Sequence, residues 1–123
     1  MMKLVINGRL DGLNKYIDDC RANTYKGSKT KRKNQDICSW EIKKQLRGAK
    51  VDGRVKLHFK WFEKNKKRDL DNVSSFGRKV IQDALVECGV IKDDGWDYVK
   101  GFTDEFHVDK NNPRIEVEIE VVE

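Results

Sequence analysis

At 123 residues the chain suits one domain, residues 1–123, and its three Trp, five Phe and three Tyr argue against disorder despite 38% charged residues. No run approaches the ~18 apolar residues of a membrane span, Met1–Ile6 turns polar at Asn7 too soon for a secretion signal, and three scattered cysteines make no disulfide framework; a soluble, cytoplasmic protein is expected. The net charge of +5 conceals an asymmetry, with 20 Lys/Arg against 7 Asp/Glu in residues 1–68 and 6 against 14 in residues 69–123, which points to a polyanionic partner.

In chain order, residues 3–7 read as a short strand, and Asn7-Gly8 and Asp11-Gly12 as turns before a helix over 13–22. Residues 24–33 have no apolar face and are expected as an exposed loop or a helix entry, followed by a helix over 31–47 with Ile37, Trp40 and Leu46 as its apolar side. Val55, Leu57, Phe59 and Trp61 alternate as one face of a strand. A helix over 72–88 is predicted next, capped by Asn72, striped by Val73, Phe76, Val80, Ala84 and Leu85, and ended by Gly89. Strands near 96–108 and over 115–121 follow, predicted to form a hairpin across Asp109–Pro113. The order β-α-α-β-α-β-β describes an α+β fold of helices packed on a mixed sheet.

Basic residues cluster at Lys29, Lys31, Arg32 and Lys33, at Lys43, Lys44 and Arg47, and at Lys64, Lys66, Lys67 and Arg68. The first and last groups are assigned to phosphate contacts on nucleic acid. Asp69 and Asp71 stand two apart, so in extended chain their carboxylates point to one side. Asp93 and Asp94 follow the next helix, and a strand–helix–turn path can return them to the first pair. Carboxylates ~4 Å apart repel by about 4 kcal/mol at an effective dielectric near 20, so such a cluster stays ionised only around a cation. Hard oxygen ligands with open water positions suit Mg²⁺, which can activate water and polarise a phosphodiester. The competing reading of Asp71-Asn72 is turn and helix-cap chemistry.

The run Arg68-Asp69-Leu70-Asp71-Asn72, with Lys79, Asp83-Ala84-Leu85, Gly89-Val90 and Asp93-Asp94, resembles the RusA family of Holliday junction resolvases. The opening Ile6–Asn14 is similar to the start of phage and prophage members. The resemblance implies a RusA-like fold and a Mg²⁺-dependent endodeoxyribonuclease that acts as a homodimer, resolving four-way DNA junctions by paired nicks in recombination and repair. Neither a membrane nor a small-molecule substrate is implied. The resemblance assigns Asp69, Asp71 and Asp94 to the metal site and Lys79 to a cation beside the scissile phosphate. The segment from Asn72 to Asp83 is about one helical turn longer than in the best-known members, which keeps later side chains on a similar face. Arg78 competes with Lys79 for the cation's role; Lys79 can instead pair with Asp83 at i, i+4, and Asp93 can support the site or shape the turn. Rival functions are a non-catalytic nucleic-acid-binding module and a metal nuclease acting on flaps or duplex.

Other features carry less. His58 and His107 have no cysteine at zinc spacing, no phosphate-binding Gly-Lys loop is present, and Cys20, Cys38 and Cys88 read as small apolar fillers. Trp40, Trp61 and Trp96 are expected in the core or a dimer interface, with base stacking as the alternative. Tyr25, alone in a basic stretch, is expected either to touch a junction or to sit on a loose tip.

Overall fold

A computed structural model describes residues 1–122. Its elements are β1 (Met2–Asn7), α1 (Leu13–Ala22), α2 (Thr24–Leu46), β2 (Arg54–Glu63), α3 (Leu70–Glu87), β3 (Val99–Val108) and β4 (Arg114–Val122). This is the expected α+β order on a mixed sheet. The alternation read from sequence buries Val55, Leu57, Phe59 and Trp61 of β2 beside Ile115, Val117 and Ile119 of β4 and Leu4 and Ile6 of β1. The predicted stripe of α3 closes the core from the other side, with Val73, Phe76, Val80, Ala84 and Leu85 all buried. A Cβ at Gly77 would stand 2.9 Å from the Trp61 ring, so glycine lets α3 approach β2 closely there.

The strands lie in the order β1-β4-β2-β3, with β2 and β3 parallel and the other two pairs antiparallel. The predicted β3–β4 hairpin is therefore overturned. Both strands pair with β2, one on each side, and residues 109–113 pass around the end of β2. The alternation in β2 and β4 gave a correct face but held no information about which neighbour completes it.

Of the two readings of residues 24–33, loop or helix entry, the second holds: they form the first turns of α2. Asn23 caps α2, its side chain accepting from the Lys26 N–H at 2.7 Å. The buried face of α2 is Gly27, Thr30, Asn34, Cys38, Ser39 and Ile42. Gly27 packs on Cys20, where a Cβ would come 2.5 Å from Sγ, and Thr30 donates to Asp19 at 2.5 Å. A face of small and polar residues is invisible to hydrophobic periodicity. Ile37 and Trp40, expected to face inward, are 39% and 70% exposed. Of the three tryptophans only Trp61 belongs to the core; Trp96 is 96% exposed. Cys38 is the one fully buried cysteine and Cys20 is exposed.

Candidate active site

The Arg68–Asn72 motif lies where β2 gives way to α3. The helix begins at Leu70 with Asp69 at its N-cap, so Asp69 and Asp71 flank a helix start and do not share an extended strand, as the spacing argument had it. Both carboxylates are solvent-exposed. An N-cap aspartate ordinarily accepts from the second or third helical N–H; Asp69 makes no such bond. Neither its carboxylate nor that of Asp71 has a hydrogen bond or ion pair among the described residues, although the Asp69 backbone carbonyl accepts from the Val73 N–H at 3.0 Å. Two free carboxylates thus sit at the positive end of the α3 dipole.

What fixes this turn is a buried carboxylate. Glu63, the last residue of β2, faces inward in the same alternation as Trp61 and is only 9% exposed. Its two oxygens accept from Arg68 Nε and Nη2, both at 2.9 Å, and Arg9 Nη1 approaches at 3.4 Å. Arg68 Nη1 also donates to the Leu10 carbonyl at 3.1 Å. Such forked, charge-assisted contacts are among the stronger hydrogen bonds, and here they bind the β1–α1 loop to the residue before Asp69. Arg68, assigned from sequence to phosphate, is placed chiefly as this tie. The sequence reading missed Glu63, although a charge at an inward-facing strand position was the available signal.

Asn72 also does something the sequence did not suggest. Its Oδ1 accepts from the Asn14 backbone N–H at 2.9 Å, capping α1 from another helix because Gly12 has no side chain to do so. A Cβ on Gly12 would lie 2.5 Å from that oxygen, which explains why glycine occupies the position. Asn72 does not cap α3.

Further along α3, the charges are matched. Lys79 Nζ lies 2.8 Å from Asp94 and 3.1 Å from Asp83, and Lys31 reaches Asp83 at 2.9 Å. The Lys79 ammonium holds Asp94 below the usual carboxylate range, and Asp94 in turn raises Lys79. Arg78, the competing cation, is committed to Asp104 at 2.8 Å and lies over the Phe102 ring. Asp93 accepts from the Asp94 N–H at 2.9 Å and so shapes the turn.

The assigned basic residues divide in the same manner. Arg32 pairs with Asp36 and with Glu87, and Lys33 stands 3.8 Å from Asp11. Lys29, Lys66 and Lys67 have no ion pair among the described residues. A cavity of about 420 Å³ opens beside Asp69, floored by Leu70, Val73, Phe106 and Val108 and rimmed by Asn65 and Lys66.

As donors, Asp69 and Asp71 suit a hard divalent cation. Asp94 does not stand with them: among the described residues, no group of three or more His, Cys, Asp or Glu side chains is placed to hold a metal ion. Residues 12–120, which include the motif, match the model of one known family, described as Endodeoxyribonuclease RusA. No curated sequence matches the chain closely enough to add an individual relative.

Proposed function

The chain belongs to the RusA endodeoxyribonuclease family, and from that premise we propose that it is a Mg²⁺-dependent nuclease that resolves four-way DNA junctions in recombination and repair. The observation that carries this reading is the pair of unpartnered carboxylates, Asp69 and Asp71, anchored by the Glu63–Arg68 tie beside unpaired Lys66 and Lys67. A free acidic pair next to free cations suits a substrate that is itself a polyanion. Asp69 and Asp71 would hold the Mg²⁺, and Asp94 is proposed as the third carboxylate. When bound, the ion supplies Lewis-acid polarisation of the phosphodiester and a more acidic water.

The protein's own groups do the rest. Lys66 and Lys67 hold the DNA backbone over the acidic pair, offsetting the repulsion between phosphate and aspartate. Lys79 is shared by two carboxylates, so its ammonium keeps Asp83 as a counter-charge if Asp94 turns away, and it can meet developing negative charge on phosphate. Two symmetric nicks need two sites on opposite strands, which a two-fold homodimer provides. Selection of the junction rests on shape and backbone position rather than base readout. The reading places the protein in the cytoplasm.

A non-catalytic DNA-binding module is the alternative that the Lys79–Asp94 pairing favours, since that contact withholds one of the three carboxylates. Cleavage of a synthetic four-way junction, beside matched linear duplex and with Mg²⁺ or EDTA, separates the two. Asp71→Asn is expected to abolish nicking while junction binding survives or tightens, because phosphate repulsion falls. Full nicking by Asp71→Asn overturns the metal-site reading.

A further inference from the structure

The outward face of α2, a helix longer at its N-terminus than the one expected over 31–47, is an exposed surface with an unusual composition. Tyr25, Lys29, Lys33, Trp40 and Lys44 recur at i, i+4, i+8, i+15 and i+19, which places all five along one side of the helix. Tyr25 is 75% and Trp40 70% exposed. At 1.5 Å per residue the stripe runs for about 28 Å. Lys29 and Lys44 have no ion pair among the described residues, and Lys33 only the loose 3.8 Å approach to Asp11. One acidic residue, Asp36, lies within this face at i+11, and its charge is answered by Arg32 beside it. An open groove of about 550 Å³ lies along its first half, lined by Tyr25, Ser28, Lys29, Lys33 and the Arg32–Asp36 pair.

A helix surface does not expose two large aromatic residues between lysines for the sake of its own stability, since Tyr25 and Trp40 each leave at least 70% of their surface in solvent. We propose that this face binds single-stranded DNA, with Trp40 and Tyr25 stacking on unpaired bases and Lys29, Lys33 and Lys44 following the phosphates. Aromatic platforms interleaved with cations are the general solution for single strands, because every base offers a π-face and every nucleotide a charge. A second copy of the chain would meet the stripe across a two-fold axis with the same lysines, and like charge argues against that occupant. The stripe is separate from Asp69 and Asp71, so this inference does not depend on the nuclease reading. It would give the protein a hold on substrates or products carrying an unpaired strand.

The test is the affinity of a labelled oligodeoxythymidylate about 12 nucleotides long, a length matched to common single-strand sites, beside duplex of equal length. Asp71→Asn serves as the background, so cutting cannot interfere. Stacking is worth ~1–3 kcal/mol per base, so Trp40→Ala is expected to weaken single-strand binding about tenfold while duplex binding stays unchanged. Trp40→Phe should restore most of it. Each lysine contact contributes about −0.7 to the slope of log affinity against log salt on single strands, so Lys29→Ala/Lys33→Ala/Lys44→Ala should flatten that slope by about 2. The exposure of Trp40 predicts an unchanged melting temperature, which confirms that any loss is one of binding. Equal loss on duplex, or single-strand binding indifferent to both variants, overturns the proposal. So does tighter binding to anionic vesicles than to the oligonucleotide. Failure of junction cleavage with Trp40-dependent binding intact would count against the nuclease reading alone.

Discussion

The two ends of α3 carry the same kind of residue in opposite circumstances. At the N-terminus the Asp69 and Asp71 carboxylates face solvent with no partner among the described residues. Toward the C-terminus Asp83, Glu87 and Asp94 are each met by a cation: Lys31 and Lys79, Arg32, and Lys79 respectively. In the sequence all five are simply acidic residues in or flanking α3. The structure separates them by whether their charge is answered. A compensated carboxylate has its role within the fold, and an uncompensated pair at a fixed turn is left for something from outside. The lysines follow the same division, with Lys66 and Lys67 free beside the open pair and Lys31 enlisted at the closed one.

The largest contrast is expected in catalysis. Asp69→Asn should lower single-turnover cleavage of a four-way junction by roughly 10³-fold, the equivalent of about 4 kcal/mol in transition-state stabilisation. Asp83→Asn should cost no more than about threefold, because Lys79 and Lys31 are cations that can shift to other partners. A comparable collapse in both variants would show that the partnered end of the helix is as much a part of the reaction as the free end.

Next in size is the tie beneath the open pair. Glu63→Ala removes one side of a buried fork and leaves Arg68 without its partner, which is expected to cost about 3 kcal/mol, or a fall in melting temperature of ~10 °C for a domain of this length. Cleavage should drop as well, since the residue before Asp69 loses its anchor, while the salt dependence of DNA binding should hold because Lys66 and Lys67 are untouched. Glu63→Gln, keeping one acceptor, should recover part of both losses. An unchanged melting temperature would reduce the fork to a surface contact.

How much of this was readable beforehand follows from the physics of each element. β2 and the stripe of α3 were legible because their cores are apolar and periodic: Val55 to Trp61 at period two, Val73 to Leu85 at helical spacing. The inner face of α2 was not, because Gly27, Thr30, Asn34 and Ser39 bury through close approach and hydrogen bonds, as when Asn34 donates to Asp11 and accepts from its N–H. Strand neighbours were not legible either, since β4 alternates in the same way whether it pairs with β3 or with β2 and β3 has no regular alternation to read. For the site, the Asp-x-Asp-Asn run identified the right turn but not the tie that holds it, and the extended-chain argument for Asp69 and Asp71 failed because α3 begins two residues early.

A smaller effect is predicted at Asn72, which caps α1 from α3. Asn72→Ala should cost about 1 kcal/mol, the typical value of a lost cap, seen as a melting point lower by ~4 °C. Gly12→Ala should cost more, since its Cβ would press on both Asn72 Oδ1 at 2.5 Å and the Asn72 carbonyl at 2.9 Å. Combining the two substitutions should give less than the sum, because removing the Asn72 side chain relieves part of the clash. Strict additivity would mean that the two residues do not act on one another.

The smallest effect is in acid, and it falls on the partnered carboxylates alone. Lys15 and Thr30 hold Asp19 well below the ordinary range, to about 2. Arg32 and Ser39 hold Glu87 likewise to about 2. A carboxylate depressed in the folded state stabilises it fully above its unfolded pKa, near 4 for these groups, and the contribution is lost as pH falls toward the folded value. The melting temperature should therefore decline between about pH 4.5 and 2. Asp19→Asn and Glu87→Gln should each flatten that decline while lowering the plateau at neutral pH, Glu87→Gln the less because its pair is well exposed and screened. Asp71→Asn has no ion pair to lose and should leave the acid limb in place. If Asp71→Asn flattened the curve as Asp19→Asn does, the open pair would have a partner inside the fold after all, and the distinction between the two ends of α3 would fail.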